Sequence, residues 1–247
     1  MQKIVKYSFY FGIFICLFAI ILILATNAYL KPSLPKIKLV DEAELQMPLK
    51  VYTKDGILIG EFGEIKRRPT TFTEIPENIK NAFLAAEDDN FFNHQGISYT
   101  GLIRSFMRCL RPSGCEGGGG TITMQVVRGY LLTREQTVIR KIKEIFLALE
   151  LEGNLEKEEI FELYVNRIFL GNRSYGIEAA ANTYFDKNIK ELSISESATI
   201  AALAQLPSRV NPVKDPRRTK LRRNWILSRM LLLGSVSYTH LRAHETS

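Results

Sequence analysis

The chain opens with Lys3 and Lys6 and then runs from Tyr7 to Leu30 without a charge, dense in Phe, Ile and Leu. At about 1.5 Å per residue those 24 residues can cross a hydrocarbon layer of roughly 30 Å. The run predicts a cytoplasmic tail and a retained transmembrane helix over 1–30. A cleaved signal peptide is the other reading, with Thr26-Asn27-Ala28 as its cleavage site, but signal apolar regions are usually only about 7–15 residues. Lysines flank both ends, so charge orients the segment weakly. The very short N-terminal tail points to export of the long C-terminal part.

After the anchor the pattern breaks. Residues 31–45 carry Pro32 and Pro35, each biasing its predecessor away from helix, and read as an extended linker. A small β-hairpin region follows over 46–72: Leu49–Thr53 and Ile57–Phe62 flank Lys54-Asp55-Gly56, a turn signal. From 73 to 234 the apolar spacing becomes helical. Ile79, Ala82, Phe83 and Ala86 form one buried stripe, and a second helix covers Thr100–Leu110. A third helix starts after the glycines at 117–120. Thr133-Arg134-Glu135-Gln136 is a capping box for a helix to about Glu152, with Ile142, Ile145, Phe146 and Leu149 as its apolar face. Asn154 is placed to cap the next helix, which has Glu156, Glu158 and Glu159 early in its course. Ser193-Ile194-Ser195-Glu196 caps an Ala-rich helix ending at Pro207, and Arg222–Leu233 forms the last one. The fold class is therefore mainly α with one small β element.

Residues 235–247 lose all periodicity and read as an unstructured or foreign tail. His240 and His244 have the spacing of a helical metal pair, but nothing nearby supports a helix. Cys109 and Cys115 are close enough in sequence for a local disulfide, or remain two free thiols. No His or Cys partner completes a metal site. The hydrophobic content of 46% and charged content of 24% exclude a disordered chain. A net charge of +7 favours anionic partners without choosing between nucleic acid, lipid headgroups and phosphorylated substrates.

Four polar segments could carry chemistry. Glu87-Asp88-Asp89-Asn90-Phe91-Phe92-Asn93-His94-Gln95-Gly96 is the densest. Glu87 lies about 80° from Ile79 around the helix axis, at the edge of the buried stripe. A partly desolvated carboxylate there has a raised pKa suited to general-base work; a solvated acidic helix end is the other reading. Glycines 117–120 run into Thr121 and Gln125, a turn that can offer backbone N–H groups to a phosphate or simply be a loop. Lys141 and Glu144 share a helix face with Arg140 and Lys143 nearby. That face points away from the Ile142/Leu149 stripe and reads equally as a solvated salt-bridged surface. The segment Lys157 to Asn166 could likewise be surface and caps.

Together, and in order, these segments resemble the five motifs of the family 51 peptidoglycan glycosyltransferases of class A penicillin-binding proteins, 1a type. The motifs are Glu87-Asp88…Phe91…His94…Gly96; Gly118-Gly119…Thr121-Ile122-Thr123…Gln125; Arg140-Lys141…Glu144; Lys157…Ile160…Glu162…Tyr164…Asn166; and Arg222-Arg223…Ile226-Leu227…Met230. The resemblance covers about 46–234. It implies a lysozyme-like glycosyltransferase domain that polymerises lipid II into glycan strands with release of polyprenyl diphosphate. It implies Glu87 as the general base and Glu144 as the second catalytic carboxylate. Asp88, Phe91, His94, Thr121, Gln125, Arg128, Arg140, Lys141 and Asn166 are implied in substrate binding. No cofactor is obligatory, with a divalent cation (Mg or Mn) as an optional assistant beside Glu144. The implied partners are lipid II, the growing polyprenyl-linked glycan, the bilayer and other cell-wall synthesis proteins, with no nucleic acid. Arg104, Phe106, Met107, Arg108, Leu110 and Arg111 suit the membrane interface, with a plain amphipathic core helix as the equal alternative. The implied location is the inner membrane, single-pass, with the catalytic domain periplasmic.

This sequence departs from the family pattern at Gly120 (usually Ser), Met124 (often Gln), Gly129 (usually Asn) and Gln136 (often Arg). Ser33-Leu34-Pro35-Lys36 mimics a transpeptidase Ser-x-x-Lys, but no Lys-Thr-Gly or Ser-x-Asn accompanies it. The reading is of a chain truncated before a transpeptidase. The rivals are a lysozyme-like lytic enzyme acting on peptidoglycan and an inactive membrane-tethered wall-binding scaffold.

Overall fold

A computed structural model describes residues 2–35, 49–56, 58–62, 66–109, 120–132, 138–207 and 209–237. Helix α1 is a single 29-residue element, Gln2–Leu30, exposing Tyr7, Phe11, Phe14, Leu17, Phe18 and Ile21. On the described residues alone, no helix is long and apolar enough to cross a membrane. Strands β1 (Leu49–Tyr52) and β2 (Leu58–Phe62) pair antiparallel, with Leu49 opposite Phe62. Gly56 takes φ +81° in their turn, a conformation that glycine adopts without strain. Sequence periodicity gave no hint of a second, two-residue parallel ladder, in which β3 (Lys66–Arg67) joins β4 (Ser174–Tyr175).

The rest is helical: α2 (Glu77–Glu87), α3 (Tyr99–Cys109), α4 (Ile122–Tyr130), α5 (Val138–Glu152) and α6 (Lys157–Arg167). They are followed by α7 (Ile177–Phe185), α8 (Ile194–Leu203) and α9 (Pro216–Leu232). The core gathers Ile79 and Phe83 of α2, Phe91, Val127 of α4, Leu147 and Leu151 of α5, Phe161 of α6 and the alanines of α8. Phe83 meets Tyr164 edge-on at 5.9 Å, and Phe91 meets Phe161 at 6.2 Å. Helix α4 packs on α5 and α6, while α2 packs on α8 and α9. The end of α2 therefore lies where both groups can reach it.

Several local expectations change. The stripe of α2 buries Ala85, while Ala86 is only partly covered. Helix α5 is rotated from its predicted setting: Glu144, Leu147, Ala148 and Leu151 are buried, whereas Leu149 is 41% exposed. The Glu144 face turns inward because its charge is met by two cations, leaving Ile142, Ile145 and Phe146 half-buried. Helix α6 is capped by a Glu156–Glu159 box rather than by Asn154, whose amide donates to the Glu150 carbonyl at 2.6 Å. Helix α9 begins earlier than predicted, at Pro216, because Asp215 accepts from Arg218 N–H. The Ser193–Glu196 box caps α8 as expected. The Thr133–Gln136 box, Leu110, Arg111, Cys115, glycines 117–119, Ser-x-x-Lys residue Lys36, His240 and His244 lie outside the described residues. Side chains of Arg104, Phe106, Arg108 and Cys109 are likewise outside them.

Candidate active site

Glu87 is the last residue of α2, where the buried stripe gives way to polar chain. The residue is half-buried, and the Gln125 side-chain amide donates to its Oε2 at 2.9 Å. Burial pushes the Glu87 carboxyl up from the usual carboxylate range. The Gln125 hydrogen bond and the charges of Arg222 and Arg128 oppose that rise, while Asp88 adds to it. A carboxylate raised by burial yet steadied by these partners holds a transferred proton more readily than a solvated one.

The neighbouring candidates form a buried brace. Asp88 accepts from His94 Nε2 at 2.9 Å and from the backbone N–H of Ile122 at 3.1 Å. Thr121 caps α4 by accepting from Met124 N–H, and donates its hydroxyl to the Gly96 carbonyl at 2.6 Å. Gly96 has φ +75°, and a Cβ there would stand 2.8 Å from the Ala148 carbonyl oxygen, so only glycine closes this loop onto α5. Phe91 is 1% exposed and belongs to the core. Asp88, Phe91, His94 and Thr121 thus lock the end of α2 to the start of α4, which places Gln125 against Glu87.

Gln125 and Arg128 lie three apart on α4, and both act on Glu87. Beside the start of α4, Glu144 is fully buried, with Lys141 Nζ at 3.0 Å and Arg140 Nε at 3.3 Å from its two oxygens. Lys141 keeps 39% of its side chain exposed. A Cβ on Gly120 would stand 3.7 Å from Lys141 Nζ and 3.5 Å from Met124 Cβ. Glycine at this position leaves room beside the ammonium. Glu144 is wholly shielded from solvent, unlike a carboxylate on a solvated face, while Lys141 keeps part of its side chain exposed.

The fourth segment works mostly as scaffolding. Both polar atoms of the buried Asn166 amide bond the Thr70 backbone, at 2.9 and 2.8 Å, ninety-six residues away in sequence. Lys157 pairs with Glu152 at 2.7 Å and lies over the Phe91 ring at 4.4 Å. Glu152 also accepts from the Thr123 hydroxyl at 2.5 Å. Glu162 accepts from Phe72 N–H at 2.8 Å.

The transglycosylase family pattern matches residues 55–231 of this chain. The chain belongs to the transglycosylase family. It is 52% identical over 215 residues to penicillin-binding protein 1A of Pseudomonas aeruginosa, covering 87% of this chain and 26% of that protein. It is 40% identical over 236 residues to penicillin-binding protein 1A of Escherichia coli K12, covering 96% of this chain and 28% of that protein. A crystal structure of penicillin-binding protein 1A from Haemophilus influenzae aligns with a TM-score of 0.48 at 34% identity, over 81% of this chain and 20% of that one. The chain spans about a quarter of the length of these curated relatives. Family and relatives together make it a glycosyltransferase region of the class A penicillin-binding protein type.

Within this transglycosylase, α9 adds Arg222, which sequence reasoning assigned to a motif but to no task, and Trp225 and Arg229, which it passed over. Arg222 Nη2 reaches the Ala86 carbonyl at 3.5 Å, and Arg229 Nε donates to the Ala85 carbonyl at 3.0 Å. Arg229 also pairs with Asp89. The Arg222, Trp225 and Arg229 spacing of three and then four residues, one face of a helix, was the available signal. Between α9 and the last turn of α2 lies a cleft of about 250 Å³ lined by Glu87, Trp225 and Arg229. As for a metal, no group of three or more His, Cys, Asp or Glu is placed to hold one among the described residues. Glu144 already faces two cations, so this donor set does not fit a resident ion.

Proposed function

We propose that the chain polymerises lipid II into peptidoglycan glycan strands, using Glu87 as general base and Lys141, Arg128 and Arg140 as leaving-group stabilisers. The single observation that carries this reading is the half-buried Glu87 carboxylate, held by Gln125 and raised by burial against nearby arginines. The acceptor sugar 4-hydroxyl gives its proton to Glu87 as its oxygen bonds to C1 of the donor sugar. The C1–oxygen bond to the polyprenyl diphosphate breaks with inversion, and the pair of electrons leaves on the diphosphate. That leaving group is already anionic and needs charge neutralisation more than a proton. Glu144 holds Lys141 and Arg140 at fixed positions for it. No step requires a divalent cation.

The reading includes a lysozyme-like arrangement of the helical body and an inner-membrane anchor with the catalytic domain on the periplasmic side. The uncharged stretch from Tyr7 lies wholly within α1, whose exposed Phe11, Phe14, Leu17, Phe18 and Ile21 support an anchoring role. The lipid tails of both substrates make a bilayer-bound enzyme physically sensible. Other cell-wall synthesis proteins are the expected partners.

Purified full-length chain incubated with lipid II in detergent tests the reading, with products resolved by length. Long glycan strands support it. Cleavage of preformed peptidoglycan without strand synthesis identifies a lytic enzyme, and binding with neither reaction identifies a scaffold.

A further inference from the structure

The C-terminus of α2 ends its own hydrogen-bond ladder early. Asp88 N–H satisfies the Leu84 carbonyl at 3.0 Å, leaving the carbonyls of Ala85 and Ala86 beyond the intrahelical pattern. Both are met from α9, by Arg229 and Arg222 respectively. The two arginines have different surroundings. Arg229 is one-third exposed and its charge is taken by Asp89. Arg222 is partly buried, its guanidinium carbon stands 4.0 Å over the Trp225 ring, and its buried Nε has no hydrogen-bond partner among the described residues. A cation propped on an aromatic face and turned inward is costly unless an anion is near.

We propose that Arg222 is a positioning residue for Glu87: propped on Trp225, it caps the last turn of α2 and sets beside the carboxylate a fixed positive charge. The proposal rests on the general-base reading of Glu87 and deepens it. The other groups facing Glu87 are Asp88 on its own helix, Gln125 and Arg128 from α4, and Tyr164 from α6. Arg128, on α4, is assigned to the leaving group in the proposed function. Arg222 bonds the protein backbone at Ala86. Burial draws the Arg222 guanidinium down, and the Glu87 charge draws it back up, so the two stabilise each other's ionised form. Arg229 gives its charge to Asp89. Its part is to fasten the same turn mechanically.

The distinction is measurable on the full chain. The Glu87 side-chain carboxyl is followed by ¹³C NMR titration without substrate, its signal assigned by its loss in Glu87→Gln, alongside the pH profile of lipid II polymerisation. Arg222→Gln should move both the titration midpoint and the acidic limb of the rate profile to higher pH, because the carboxylate has lost a favourable cation. Arg222→Lys should restore both toward the parent, and Arg229→Gln should leave both midpoints in place while slowing turnover. An Arg222→Gln protein with parental midpoints overturns the proposal. So does one that cannot fold while Arg229→Gln can, since either result assigns Arg222 to the fold alone. If instead the parent makes no strands, or Glu87→Gln still makes them, the proposed function fails, while the titration still reports on Arg222.

Discussion

Gln125 donates its amide to Glu87 across 38 residues of sequence, at 2.9 Å, and so joins the end of α2 to the first turn of α4. The contact exists because Asp88 and Thr121 have already fixed those two helix ends to each other. It links the acid segment to the glycine-turn segment and makes one site of them.

Glu87→Gln should abolish strand synthesis, with a loss on the order of 10²–10⁴-fold, as expected for removal of a general base. Circular dichroism should show an unchanged fold. Turnover within threefold of the parent, roughly what a minor perturbation produces, would assign the base elsewhere.

The same substitution has a pH-dependent effect on stability. The folded-state pKa of Glu87 is raised above its unfolded value, chiefly by burial. Its contribution is therefore fully present below the ordinary carboxylate range and is lost as pH rises through the folded value. Glu87→Gln should melt higher than the parent at neutral pH and lose that advantage in acid. Melting curves at several pH values check this, and equal advantage at all pH values would contradict it.

Lys141→Ala should lower turnover more than Lys143→Ala, on the order of 10²-fold, the usual cost of deleting one preorganised charge stabiliser. Lys141 pairs with the buried Glu144, alongside Arg140, and borders the space left by Gly120. Matched losses in steady-state kinetics of the two variants would favour a diffuse electrostatic surface.

Asn166→Ala should act on stability before catalysis. It strands the N–H and carbonyl of buried Thr70, at about 1–3 kcal/mol for each group left unpaired. Urea denaturation should show this loss, with KM for lipid II near the parental value in the protein that remains folded. A raised KM with parental stability would make Asn166 a direct substrate contact.

Gly120→Ser adds a Cβ in ordinary contact with Met124 and Lys141, at 3.5 and 3.7 Å. The protein should fold normally and turn over at least as fast as the parent, since a hydroxyl gains a place beside the leaving-group cation. A marked loss of melting temperature would mean that the turn needs glycine for its backbone.

Much of this protein was legible in its residue order. The hairpin around Gly56, the stripe of α2 and the Ser193–Glu196 cap follow from local spacing and short-range hydrogen bonds, which act within a few residues. The motif order named the family and singled out Glu87. Periodicity failed on α5 because one stripe is apolar and the other holds Glu144, and pattern alone ranks apolar faces as the buried ones. Tertiary structure reversed that ranking by packing the Glu144, Leu147, Ala148 and Leu151 face inward with α4 against α5, while Lys141 and Arg140 on the same helix offset the desolvation of the carboxylate. It also decided that Asn166 holds Thr70, that Thr121 holds Gly96, and that Arg222 and Arg229 cap α2. These partners lie between 25 and 144 residues apart in sequence. No local rule pairs groups at that distance; the packing of α9 on α2, of the segment beside Phe72 on α6 and of the 88–96 segment on the start of α4 brings them within hydrogen-bonding reach.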